Sequence, residues 1–132
     1  RVSSMTGAKK VARVNRCHGL FCDVDARCDA RLAAGRATGE PLWRLPLDPA
    51  YDRQLQSEVA DLKNSGGPAA GAVTAARFLA RFAGKWPWAH IDIAGGQYYA
   101  GGPDDTPRSY LTPGATGAPL RALVAFLRGQ VG

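Results

Sequence analysis

Strand-like and helix-like patterns alternate along this chain, and that alternation restricts its fold more tightly than any single motif does. Ala89, Ile91 and Ile93 are apolar, with His90 and Asp92 between them. This is the period of two that sends successive side chains to opposite faces of a sheet. Just before it, from about Ala70 to Ala83, Ala72, Ala75, Ala76, Leu79 and Phe82 fall on one helical stripe. The small residues of that stripe would let a helix approach a sheet or a second helix closely. Earlier still, Tyr51, Leu55, Val59 and Leu62 recur at spacings of four, four and three, which predicts an amphipathic helix ending near Asn64 at the Ser65-Gly66-Gly67-Pro68 loop.

The remaining segments fit the same scheme. Residues 2–6 and 10–14 read as short strands on either side of Gly7-Ala8, and Leu20-Phe21-Cys22 as a buried strand. Asp23 or Asp25 can cap a helix running to about Ala34, with Gly35 as its stop. Leu42 to Leu47 is extended, and Pro46 places it at a sheet edge or in a segment outside the ladder. Residues 95–113, rich in Gly, Pro, Asp, Thr and Tyr, read as a surface excursion. Thr116-Gly117-Ala118-Pro119 then opens a last helix with Leu120, Leu123, Val124 and Leu127 as its buried face. Strands alternating with helices predict an α/β layered sheet flanked by helices. At 132 residues the chain suits one domain, 1–132.

Charge is uneven. Of a formal +6, residues 1–36 carry +5, and no acidic residue occurs between Arg1 and His18. A one-signed stretch attracts anionic partners and speeds their encounter. No aromatic residues interleave with it, which disfavours nucleic acid as the partner. No apolar run approaches the ~18 residues of a membrane span. The chain starts without Met or an apolar signal core and reads as a trimmed beginning. Cys17, Cys22 and Cys28 are odd in number and lack paired Cys-x-x-Cys spacing, so they are read as free thiols rather than a zinc site or a disulfide scaffold. Gly66-Gly67 and Gly95-Gly96 have neither a Walker lysine nor a dinucleotide-binding spacing. No cofactor is implied.

Five motifs in order carry a resemblance: Thr6-Gly7-Ala8, Trp43-Arg44-Leu45-Pro46-Leu47, Ala60-Asp61-Leu62-Lys63-Asn64, Trp88 to Gly95, and Gly114-Ala115-Thr116-Gly117. Together they resemble the end of a leucyl aminopeptidase catalytic domain, over nearly the whole chain. The resemblance implies a cytoplasmic two-metal exopeptidase using zinc or manganese. Its metal-binding lysine, aspartates and glutamate, and its catalytic arginine, lie ahead of the Thr-Gly-Ala segment where this chain begins. No metal ligand and no catalytic residue is therefore expected here, nor peptidase activity. Thr6, Gly7, Ala94 and Gly95 are expected as the remnant of a substrate-pocket wall. The family uses His90 and Asp92 neither as ligands nor as catalysts, so a structural role is expected for both.

The sequence departs from the family's habit between Lys9 and Arg16, where Lys9 and Arg13 replace apolar residues. It departs again at Arg31, where leucine is usual, and at Gly67-Pro68-Ala69-Ala70, which loses an arginine. Clustered basic replacement predicts a resurfaced, engineered domain, its charges serving either the solubility of a cut surface or the binding of an acidic protein surface such as an enzyme cleft. Lys9, Lys10, Arg13, Asn15, Arg16 and His18 would be its contacts, with Arg13 and Arg16 as anchors. The alternative is a fragment of a leucyl aminopeptidase, inactive without its missing half. The family forms hexamers, but a cut catalytic domain with a positive edge is expected to be a monomer.

Overall fold

The structure, a computed structural model, describes residues 17–101 and 110–131. The expected strands at 2–6 and 10–14 lie outside them. Within them, β1 (His18–Cys22) is the centre of a three-stranded sheet. It pairs in parallel with β2 (Leu42–Arg44), His18 opposite Leu42, and antiparallel with β3 (Ala89–Asp92), Leu20 opposite Ile91. Helix α1 (Asp25–Ala37) joins β1 to β2, and α2 (Gly71–Ala83) precedes β3. The short strands β4 (Tyr98–Tyr99) and β5 (Gly114–Ala115) form a separate antiparallel pair ahead of α3 (Leu120–Arg128). This is the α/β architecture expected from the alternation.

The pleat of β1 divides the core in two. Leu20 and Cys22 face one way and pack with Cys28, Leu32, Leu42, Ala89 and Ile91 under α1. Phe21 faces the other way and meets Ala72 and Ala76 of α2, with Leu45, Leu47, Val73 and Ala94 around it. Leu20 and Phe21 are fully buried, and each such side chain contributes about 1.5–3 kcal/mol by leaving water.

Four local expectations are corrected. Gly35 does not stop α1, which continues to Ala37. A Cβ at Gly35 would lie 2.8 Å from the Glu40 carbonyl oxygen, so glycine there serves close approach of the chain. The stop is Gly39, at φ 69°. The Gly39 N–H donates to the Arg36 carbonyl and the Glu40 N–H to the Gly35 carbonyl, the paired bonds that close a helix on a left-handed residue. The helix is also entered without a side-chain cap, Asp25 standing in its first turn.

Second, the stretch from Tyr51 to Leu62 is not an α-helix. A 3-10 turn covers Pro49–Leu55, started by Asp48 accepting from the Ala50 N–H. The chain then extends at Gln56, and the Lys63 N–H closes the loop onto the Leu55 carbonyl at 2.8 Å. Leu55 is buried, whereas Val59 is 95% exposed.

Third, the stripe Leu120, Leu123, Val124 and Leu127 of α3 is exposed. The helix instead packs through Ala122, which is buried, and Phe126, over whose ring the Arg31 guanidinium sits at 4.1 Å. Arg31 thus uses its flat cation to cover an aromatic ring between α1 and α3. The stripe of α2 is likewise only part-buried, since Leu79 and Phe82 are exposed.

Fourth, Cys22 and Cys28 form a disulfide, and only Cys17 is a free thiol. The turn from β1 into α1 brings their Cα atoms to 5.8 Å, inside the range a disulfide needs. Burial raises the Cys17 thiol above its ordinary value.

Candidate functional site

The β3 strand ends in a tight turn that carries Ala94 and Gly95, two of the residues expected at the pocket wall. Asp92 Oδ1 accepts from the Ala94 N–H at 3.0 Å, the short-range capping to which an aspartate is suited. The Gly96 and Gln97 N–H groups both donate to the Ile93 carbonyl at 3.1 Å. Gly95 and Gly96 are buried. A Cβ at Gly96 would come within 2.5 Å of the His18 ring, so the turn can lie against β1 only with glycine at that position. On its far side the turn is held by Thr116, whose N–H donates to the Gln97 carbonyl at 3.0 Å and whose hydroxyl donates to the Gly96 carbonyl. Residues 93–97 are therefore fixed between the start of β1 and the segment leading into α3.

Beside this turn lies a cavity of about 230 Å³, lined among others by His18, Tyr98, Tyr110, Thr116 and Arg121. Its floor holds Glu40, 4% exposed. One Glu40 oxygen accepts from Arg121 Nε at 3.0 Å and the other from the Ala122 N–H at 2.9 Å. A carboxylate so placed satisfies an amide of the α3 N-terminus and favours the positive end of the helix. The bond to Glu40 and a further one to Tyr110 keep the Arg121 guanidinium above its ordinary pKa, against a smaller opposing push from burial. Glu40 is a residue that sequence reading missed. Its signal was a carboxylate following the helix-ending glycine, a position that does not reveal a partner 81 residues away.

Of the expected site residues, Ala94 and Gly95 lie together in the fixed turn, while Thr6 and Gly7 are outside the described residues. So are Lys9, Lys10, Arg13, Asn15 and Arg16. His18 is described, and it is buried in β1 against Gly96 rather than presented on a surface. His90 and Asp92 share a strand face without forming an acid–base pair. Asp92 holds the Ala94 turn, and the His90 ring stacks on Phe21 at 5.8 Å between centroids. Burial lowers the His90 pKa, the charge of Asp92 opposing it more weakly. Among the described residues no group of three or more His, Cys, Asp and Glu is placed to hold a metal ion. The donor set does not fit a two-metal centre, and no step through a metal follows from these residues. Nor is any helix among them long and apolar enough to cross a membrane.

The sequence pattern of the cytosol aminopeptidase catalytic domain matches residues 1–124. The chain belongs to the cytosol aminopeptidase family. It is 50% identical over 131 residues to a probable cytosol aminopeptidase of Bordetella pertussis, covering 99% of this chain and 24% of that protein. Among solved structures it is similar to a tomato leucine aminopeptidase mutant, with TM-score 0.77 and 33% identity over 92% of this chain and 22% of the other. It is also similar to the bottromycin maturation enzyme BotP in complex with Mn, with TM-score 0.80 and 36% identity over 89% of this chain and 25% of the other. The chain thus spans about a quarter of the length of these relatives. The match runs through the basic stretch as well as the rest. It favours the reading as part of an aminopeptidase over that of a resurfaced, engineered binding module, which gains no support.

Proposed function

We propose that this chain is a part of a leucyl aminopeptidase and supplies one wall of its substrate pocket through Thr6, Gly7, Ala94 and Gly95. The metal ions and the catalytic arginine would be held by residues outside it, within a cytoplasmic enzyme. The observation that carries this reading is the family match over residues 1–124 together with coverage of only 24% of a full-length relative. The turn at 93–97 supports it physically. A pocket wall made of backbone groups must be rigid, and this turn is bonded at Ile93, Gln97 and Gly96 and closed by glycine against His18.

The test is complementation. The chain alone, assayed on leucine p-nitroanilide with added manganese or zinc, is expected to give no turnover. Co-expression with the remaining three-quarters of the Bordetella relative is expected to give turnover that a chelator abolishes. Chelator-sensitive turnover by the chain alone, or no activity with the complementary part present and folded, would overturn the reading.

A further inference from the structure

The cysteine pair lies at a turn tied to all three strands of the main sheet. Cys22 ends β1 and Cys28 sits in the first turn of α1, and between them the chain carries two carboxylates. Asp23 accepts the Trp88 backbone N–H at 3.2 Å, immediately ahead of β3. Asp25 pairs with Arg44 at the end of β2. The bridged loop therefore grips the strand on each side of β1. Both cysteines belong to the core cluster with Leu20, Leu32, Leu42, Ala89 and Ile91, so their separation is tied to how α1 sits on the sheet.

We infer that this turn is a thiol–disulfide switch, in which oxidation of Cys22 and Cys28 fastens the Asp23 clamp on the entry to β3 and reduction loosens it. A cross-link removes conformations from the short loop that carries the clamp. The clamp itself is a charge-assisted bond whose strength depends on how steadily Asp23 is held. On the reading that the Ala94 turn is a pocket wall, its output reaches that wall directly, since β3 (Ala89–Asp92) joins Trp88 to the turn.

The chemistry is exchange with a dithiol. A thiolate of the dithiol attacks Sγ of Cys22, which is 9% exposed where Cys28 is fully buried. The Cys22–Cys28 bond breaks, a mixed disulfide forms, and Cys28 leaves as a thiolate from the first turn of α1, where the positive helix end favours it. The second thiol of the dithiol then attacks the mixed disulfide, releasing Cys22. The dithiol ends as a disulfide, having passed two electrons and two protons to the pair. A small disulfide such as oxidised glutathione runs the conversion backwards and departs as two thiols.

The experiment uses the whole 132-residue chain, treated with oxidised glutathione or with dithiothreitol. Thiols are counted by alkylation after quenching, and hydrogen exchange of the Trp88 backbone amide is read by NMR. Oxidised protein is expected to show one thiol, Cys17, and Trp88 exchange slowed about tenfold relative to reduced protein with its three thiols. Cys17→Ser is expected to keep this difference, and Cys28→Ala to fix the reduced rate. Asp23→Ala is expected to abolish the difference in exchange while the change from three thiols to one persists. Equal Trp88 exchange in the two states of the unaltered chain would overturn the inference. So would three thiols after oxidation, a bridge that dithiothreitol leaves intact in the folded protein, or global unfolding on reduction, which would make the bridge a fixed staple.

Discussion

The two faces of the three-stranded sheet are fastened to their helices by different means. Under α1 and α3, the apolar cluster around Leu20 is supplemented by a few specific contacts: the Cys22–Cys28 bridge, the buried Glu40 carboxylate at the α3 N-terminus, and Arg31 over Phe126. Under α2, Phe21 packs against Ala72 and Ala76, and an outer ion-pair network ties the 3-10 turn to the helix. Asp52 accepts from Arg77 Nε and Nη2 at 2.6 Å and from Arg81 at 2.8 Å. The first face adds to its packing a buried carboxylate, Glu40, that must stay paired, because a buried group left unsatisfied costs its full desolvation. The second depends on packing area, with a part-buried Asp52–Arg77 pair at its edge that half-exposed Arg81 joins. The difference teaches where each face is vulnerable: one to loss of a single atom pair, the other to loss of volume.

The largest effect is expected from volume. Phe21→Ala should destabilise the chain by about 3–5 kcal/mol, the range for emptying a fully buried aromatic site, measured by urea unfolding. Glu40→Ala should cost about 2–3 kcal/mol, because it leaves the Ala122 amide unsatisfied at a buried helix end while half-exposed Arg121 can turn to water. If Glu40→Ala cost less than 1 kcal/mol, the contrast between the faces would fail. Asp52→Asn should cost only about 1 kcal/mol, since the pair is part-exposed.

Acid sharpens the same contrast. The hydrogen bond from Arg77 holds the Asp52 carboxyl below its ordinary 3.8, so folded Asp52 binds its proton later than unfolded Asp52. Its contribution is present above pH 3.8 and is lost as pH falls through the lower folded value. Asp52→Asn should flatten that part of the stability profile. His90 is also lowered, by burial, so the unfolded chain takes up the proton first. Stability should begin to fall as pH drops below 6.5, and His90→Phe should remove that slope in a urea-midpoint series from pH 7.5 to 5. The smallest effect runs the other way. Ala70 holds a left-handed conformation at φ 53° ahead of α2, and Ala70→Gly should raise stability by up to about 1 kcal/mol in a thermal melt.

How far the candidate site could be read from sequence follows from the same atoms. Ala94 and Gly95 entered the candidate site through the family resemblance, and periodicity added only that the alternating strand ends close to them, at the turn that Asp92 holds. Glu40 and the Gly96–His18 contact were not, since each joins residues far apart in the chain. The stripe of α3 shows why. A 3.6-residue period says that Leu120, Leu123, Val124 and Leu127 share a side, but Ala122 and Phe126 also lie together, and the Glu40 bonds turn that side inward.

The succession β1, α1, β2, α2, β3 and α3 and the alternating faces of β3 were determined by the sequence itself, because each follows from local period, whereas Pro46 left open whether β2 would stand at an edge or outside the ladder. The family motifs were likewise in the residues. Tertiary structure alone decided which side of α3 is buried, that Tyr51 to Leu62 breaks after Leu55, and that Cys22 reaches Cys28. These depend on distances across the fold, and spacing along a chain records periodicity but not the surface that a side chain will meet.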